Sequence, residues 1–278
     1  MTDRTATSGI SAAPAERDAT PAPRDGDPAP RDGDPAPSVL QQVDDSARRL
    51  ARSLLRGARD GMLAVLRPGD GHPAASLVLV ATDFQGRPLL LVSALALHSA
   101  ALDADRRCSL LVSRPGKGDP LAHPRLTVFA TASVVAADDP ERPGLRDRFL
   151  ARHPKAALYA DFADFRMIRL EPETASLNGG FARAFALERG DLVDTPAPEL
   201  AATAMRARDH MNDDHRDAID TLAASAGLSE DGWRIATMDR FGFEVVRGDR
   251  LARMEFGLDA AAHGYRDAFV SLVRSQAD

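Results

Sequence analysis

Between residues 124 and 136 the chain alternates. Leu126, Val128, Ala130, Ala132 and Val134 fall on one side, and Thr127, Phe129, Thr131 and Ser133 on the other. A two-residue period is the signature of a strand with one buried face. Shorter apolar runs at 61–67, 74–82, 88–93 and 107–113, and a longer one near 165–177, predict further strands. DFQGRP supplies a hairpin-like turn between the second and third. Helical spacing comes first in the chain, with Val39, Val43, Ala47, Leu50 and Leu54 on one stripe and Gly57 near its end. A short helix is predicted at 94–104, and helical pieces around 141–151 and 154–161. Clustered, mostly hairpin-linked strands of this kind predict an antiparallel barrel rather than a doubly wound sheet. No G-x-G-x-x-G and no Walker loop is present, so nothing supports dinucleotide or NTP binding.

The ends of the chain differ from this middle. Residues 1–38 are rich in Ala, Pro, Asp and Arg and repeat PAPRDGD at 21–27 and 28–34. So little apolar surface cannot offset the entropy of ordering, which predicts a disordered tail. DTPAPEL at 194–200 marks a shift in composition and a linker. Beyond it come a helix of about 25 residues, two or three short strands within 233–256, and a final helix, AAHGYRDAFVSLVRS. The predicted organisation is a tail (1–38), a barrel (39–192) and a small α-β-β-β-α domain (193–278).

Composition narrows the function classes. The 278 residues are 44% hydrophobic and 27% charged, ordinary for a globular protein, with a net charge of −6. That balance provides no basic field for nucleic acid or an anionic membrane. The single cysteine, Cys108, lies in the apolar run CSLLVS, excludes an internal disulfide, and reads as a small buried hydrophobe. No apolar run is long enough to span a bilayer and no secretory h-region is visible, so the expected compartment is the cytoplasm.

Two polar stretches carry candidate chemistry. HMNDDH at 210–215 holds two histidines, an asparagine and two aspartates. On one continuous helix over 200–224, His210, Asp213, Asp214 and Asp217 share a side, and Met211, His215, Ala218 and Leu222 share the opposite one. The two imidazoles then point about 140° apart and cannot hold one ion together. Their spacing is also one residue longer than the i, i+4 pair of a zinc protease. Left open are solvated or arginine-paired carboxylates, and a ligand role for His210 or His215 in another cofactor's pocket. The second stretch is SLNGGFARAF at 176–185, where Gly179 and Gly180 at a strand end predict a bulge or a close backbone approach. Phe181 and Phe185 flank Arg183 there, as a ligand surface or as an anchored turn. His72, His98, His123, His153 and His263 are scattered, and each alone reads as packing or surface. No nucleophile elbow or Ser/His/Asp order is visible, so no catalytic residue is assigned.

Taken together these pieces resemble a known family. Residues 91–135, LVSALALHSAALDADRRCSLLVSRPGKGDPLAHPRLTVFATASVV, are similar to the central signature of the FMN-binding split-barrel proteins, the pyridoxamine-phosphate-oxidase-like class. Residues 152–185, with GGF-x-x-A, resemble the HugZ/HutZ haem-utilisation branch. HMNDDHRDAIDTLA with MDRFGF at 238–243 looks like the small domain of unknown function that trails these barrels. The resemblance implies a homodimeric split barrel with pockets between the subunits and a small-molecule cofactor or substrate. It implies haem, with FMN as the alternative, and cofactor contacts at His98, Ser99, Arg107, Arg114, Arg125, Gly179, Gly180, Phe181 and Arg183. Arg87, Arg106 and Lys117 are further anion contacts. The family commonly places a basic residue and then Asn after the His98–Ser99 position, whereas this chain has Ala100 and Ala101, so one partner of a flavin phosphate is missing. A haem needs apolar walls, an axial ligand and cations for its propionates. His210 and His215 are the candidate iron ligands, His210 first. Three functions follow from the resemblance: a haem-degrading or flavin-dependent enzyme, a haem carrier, or a regulator that keeps the barrel without its cofactor.

Overall fold

The computed structural model describes residues 40–180 and 183–275. The 1–38 tail and Phe181 lie outside the described residues. Helix α1 (Asp45–Gly57) opens the described chain, with the Asp44 carboxylate accepting from the Ala47 N–H at 2.7 Å. Such a cap satisfies one of the four N–H groups a helix start leaves without partners. Then follow β1 (Asp60–Leu66), β2 (Pro73–Leu79), β3 (Ala81–Thr82), β4 (Pro88–Ser93), α2 (Leu97–Ala104), β5 (Arg107–Ser113) and β6 (Arg125–Val134). The barrel half finishes with α3 (Arg142–Arg152), β7 (Phe165–Asn178), β8 (Ala184–Glu188) and the single turn α4 (Arg189–Leu192).

These strands form one eight-stranded sheet in the order β2-β1-β5-β6-β7-β4-β3, with β8 also paired to β7. Every pairing is antiparallel. The sheet curls until β2 lies against β4, which is the split barrel that the sequence predicts. β8 is the strand that the pattern did not reveal, because its five residues hold only two large apolar ones, Phe185 and Leu187. The inward rows Leu63 and Val65, Leu110 and Val112, and Leu126, Val128, Ala130 and Ala132 meet α1 through Ala47, Ala51, Leu54 and Leu55. Val134 departs from its predicted side: it is 52% exposed and Val135 is 2% exposed. The strand ends at Val134, and the next residue turns into a satellite cluster with Leu145 and Phe149.

The remaining chain is α5 (Pro198–Asp214), α6 (Arg216–Ser225), β9 (Arg234–Met238), β10 (Gly242–Arg247), β11 (Arg250–Glu255), α7 (Ala260–His263) and α8 (Tyr265–Arg274). Its three-stranded sheet, order β11-β10-β9, packs its own core of Trp233, Ile235, Phe243, Phe256 and Phe269. The single helix expected over 200–224 is two helices, and Gly264, at φ 82°, splits the final one. Among the described residues no helix is long and apolar enough to cross a membrane.

A buried ionic cluster joins the small sheet to α1 and α3. Arg56, Arg152, Asp239, Glu244 and Arg253 all have side chains at most 3% exposed. Arg253 Nη1 donates to Asp239 at 2.7 Å, Arg56 Nη1 lies 3.2 Å from Asp239, and Arg152 Nη1 lies 3.3 Å from Glu244. Burial works against these charges, yet Arg253 and Arg56 together hold the Asp239 carboxyl far below its ordinary value. Buried ions of this kind tolerate each other only as a set.

Candidate functional site

The residues singled out in the sequence fall in three places. The first is the start of α2. The Ser93 hydroxyl donates to Asp164 at 2.8 Å, and the Ser99 hydroxyl donates to the Ser93 carbonyl at 2.7 Å. Ser99 is therefore fully buried and anchors the helix that presents His98. Arg166, which the sequence reading passed over, donates to the Ser99 carbonyl at 3.0 Å and grips Asp103 at 2.8 and 2.9 Å. The His98 ring is half-buried and has no hydrogen-bond partner among the described residues. Burial, with help from the Arg166 charge, lowers its pKa, so the imidazole is neutral at neutral pH, the form that binds metals. Its sequence neighbours Leu95, 87% exposed, and Leu97 are apolar and open to solvent. Arg107 is nearby in sequence but is held by the Asp105 carboxylate, which it keeps at about 2.

The second place is the opposite end of the sheet. Register aligns Ser113 with Arg125, Arg125 with Asn178, and Asn178 with Ala184. This row gathers Arg114, Arg125, Gly179, Gly180 and Arg183. Gly180 has φ 106°, and a side chain there would meet the Ala122 carbonyl at 2.9 Å. The close backbone approach expected of the Gly-Gly pair is thus made by the protein's own 120–122 turn. Gly179 N–H donates to the Arg183 carbonyl at 2.7 Å, and the Arg183 guanidinium lies 5.8 Å above the Phe185 ring. Arg125 donates to the Leu121 carbonyl at 3.2 Å. Arg114 donates to Ser53 at 2.8 Å and lines a cleft of about 620 Å³ shared with Arg59, Asp60, Arg253 and Glu255. From Arg107 to Ser113 is the full length of β5, about 20 Å. One chain therefore does not bring the barrel residues into a single pocket.

The third place is HMNDDH, and here the sequence geometry needs correction. The helix stops at Asp214; His215 takes φ −132° and ψ 38°, and α6 begins at Arg216. The two imidazoles consequently face each other, with Nε2 atoms 3.2 Å apart and rings edge to face at 89°. The His210 Nδ1 pairs with Asp214 at 2.8 Å, so this carboxylate meets a histidine and not an arginine. Tertiary contacts hold α5 just before the break. Asn212 clamps α5 to an edge strand, its amide donating to the Ile235 carbonyl at 2.9 Å and accepting from the Ile235 N–H at 2.8 Å. The Asn212 carbonyl accepts from the Arg216 side chain, Nε at 2.9 Å. Both histidines line an open groove of about 520 Å³ between α5, α6 and α8, walled by Met211, Phe269, Val270 and Val273.

Cys108 behaves as a core residue: burial first, then the Glu173 charge, push its thiol up to about 12.

Residues 41–188, which contain the whole eight-stranded sheet, match the sequence profile of the CREG β-barrel family. The chain belongs to that family. The matched span covers residues 91–135 and every barrel residue named above. HOZ, a chloroplastic haem oxygenase of Arabidopsis thaliana, is 31% identical to this CREG-family chain over 218 residues, which is 74% of this chain and 66% of the plant protein. Among solved structures, a protein of unknown function from Agrobacterium tumefaciens is 30% identical with a TM-score of 0.72, covering 84% of this chain and 99% of its own. A haem-binding protein from Mycobacterium smegmatis is 27% identical with a TM-score of 0.52, covering 85% of this chain and 99% of its own.

Proposed function

We propose that this CREG-family barrel is a haem-binding protein of the haem-utilisation type, with His98 on the iron. The observation that carries the reading is the start of α2. A neutral, half-buried imidazole without a hydrogen-bond partner stands beside Arg166 and close in sequence to exposed Leu95 and Leu97. These are the ingredients a haem requires: apolar contact, an axial nitrogen and a cation for a propionate. Ser99 positions His98, and Arg106 adds positive charge at the same end, where Arg107 is paired with Asp105. Bound haem would supply redox-active iron. The chain's residues would hold and orient it. The names of the plant and mycobacterial relatives support this reading, and Ala100–Ala101 argues against a flavin phosphate.

A second copy of the chain completes the pocket in this reading. Met62 pairs in register with Leu77 on β2 and with Leu111 on β5, and all three are exposed on one sheet face with Phe129. An apolar row of this kind on a sheet is a docking surface. Sedimentation of the 29.7 kDa chain should therefore give about twice that mass, and Met62→Asp should shift it toward the monomer.

Haemin titration tests the ligand. The expected result is saturation near one haem per subunit with a shifted Soret band that His98→Ala changes. Retention in His98→Ala with loss in His210→Ala or His215→Ala would move the iron to the helical groove. Tight FMN binding without a saturable haem response would replace haem by the flavin. With reductant and oxygen, bleaching of the Soret band with iron release identifies a degrading enzyme, and a persistent band identifies a carrier.

A further inference from the structure

The geometry points to His210 and His215 as a two-imidazole chelate for a bare divalent first-row transition cation, separate from the haem site proposed above. The separation of their Nε2 atoms, 3.2 Å, decides between the two kinds of iron or metal centre. Imidazole nitrogens bind such cations at about 2.0–2.1 Å, so two nitrogens this far apart subtend about 100° at a shared ion. That angle lies between the octahedral and tetrahedral values. A haem offers only two opposed axial positions, which would require the nitrogens about 4 Å apart on either side of the iron. The separation therefore suits a cis chelate once the proton between the two nitrogens has moved.

The surroundings suit that role. Asp214 accepts from Nδ1–H of His210 at 2.8 Å, which orients the ring and leaves the Nε2 lone pair directed at the partner imidazole. Without a cation, His215 Nε2–H donates to that lone pair. On binding, His215 shifts its proton from Nε2 to Nδ1, and both Nε2 atoms become ligands. The side chains of His210 and Asp214 are 61% and 63% exposed, so the pair is reached from solvent without opening the fold. Nothing in the core depends on the contact, in contrast to Asn212, which clamps α5 to an edge strand. Among the described residues no set of three or more His, Cys, Asp and Glu side chains converges on one ion. The remaining coordination positions thus belong to water or to an outside ligand in the apolar groove. Two nitrogen donors select borderline cations in the order Cu²⁺ above Ni²⁺ and reject Mg²⁺ and Ca²⁺.

The test is equilibrium dialysis and calorimetry of the tag-free full chain with CuCl2, NiCl2 and MgCl2, in the absence of haemin. The expected result is one equivalent of Cu²⁺, weaker Ni²⁺ and no Mg²⁺, with a Cu²⁺ EPR spectrum showing two nitrogen ligands. His210→Ala and His215→Ala should each lower Cu²⁺ affinity at least about tenfold, and Asp214→Asn about tenfold, as for removal of a partner that orients a ligand. His72→Ala, at an exposed turn, should leave it unchanged. Circular dichroism of each variant should match the parent. Unchanged Cu²⁺ affinity in the His210→Ala/His215→Ala double variant, or no saturable binding of either cation, would overturn the proposal. Neither outcome depends on His98 or on a Soret band, so the haem reading stands or falls separately.

Discussion

The molecule contains two polar clusters, one of guanidiniums with carboxylates and one of imidazoles with a carboxylate, that differ in burial and in what they can do. Arg56, Arg152, Asp239, Glu244 and Arg253 are out of contact with water and hold the small sheet against α1 and α3. His210, Asp214 and His215 lie in water at the edge of a groove. In the first, each charge is too costly to bury alone, so every member is needed by the others. In the second, solvent screens each group, so the contacts contribute little to folding and the nitrogen lone pairs stay available. Guanidiniums and carboxylates hold elements together when dry, and exposed imidazoles keep nitrogen lone pairs that can coordinate.

The strongest way to break the contrast is to remove one buried partner. Glu244→Ala leaves the buried Arg152 without its carboxylate, while Arg253 keeps Asp239, and should destabilise the protein by about 3–5 kcal/mol in urea titration. A loss below about 1 kcal/mol would show that water enters the cluster. Next in size is a pair of opposed pH effects at its margin. Burial raises Asp194 to about 6, so its contribution is fully present below the unfolded carboxylate range and disappears as pH rises through 6. Burial lowers His153, bonded to the Val80 carbonyl at 2.9 Å, to about 4, so its contribution is present above its unfolded value and is lost as pH falls through 4. Each is on the order of 3 kcal/mol, and the two nearly cancel between about pH 4 and 6.5. Stability of the parent should be nearly flat there with respect to these groups. Asp194→Asn should make it rise with pH, and His153→Gln should make it fall; chemical denaturation at several pH values reads both slopes.

Smaller effects sharpen the other side of the comparison. Gly180→Ala puts a side chain at positive φ and against the Ala122 carbonyl, and should cost about 1–3 kcal/mol, read as a lower melting temperature. Asp214→Asn should change stability by less than about 0.5 kcal/mol while weakening Cu²⁺ binding. A large stability loss there would mean that the histidine pair is part of the fold.

Alternation alone was enough to find the other barrel strands, the barrel class and most of the inward rows, because it is a local property and each apolar row has one way to face a core. β8 and Val134 escaped it. The sequence also located the polar stretches that matter. Tertiary structure decided what those stretches do. Nothing local separates the barrel residues, yet His98 and Ser99 sit on α2 just before Arg107 at the start of β5, and register gathers Arg114, Arg125, Gly179, Gly180 and Arg183 at the other end of that strand. HMNDDH read as a continuous helix with splayed histidines, because it contains no glycine or proline to stop one. Beside the stop Asn212 bonds to Ile235, 23 residues away, and no helical periodicity anticipates a hydrogen bond to another element. The burial of Arg56, Arg152 and Arg253 was equally hidden: an arginine in a sequence reads as surface until three elements close around it and two carboxylates meet it there.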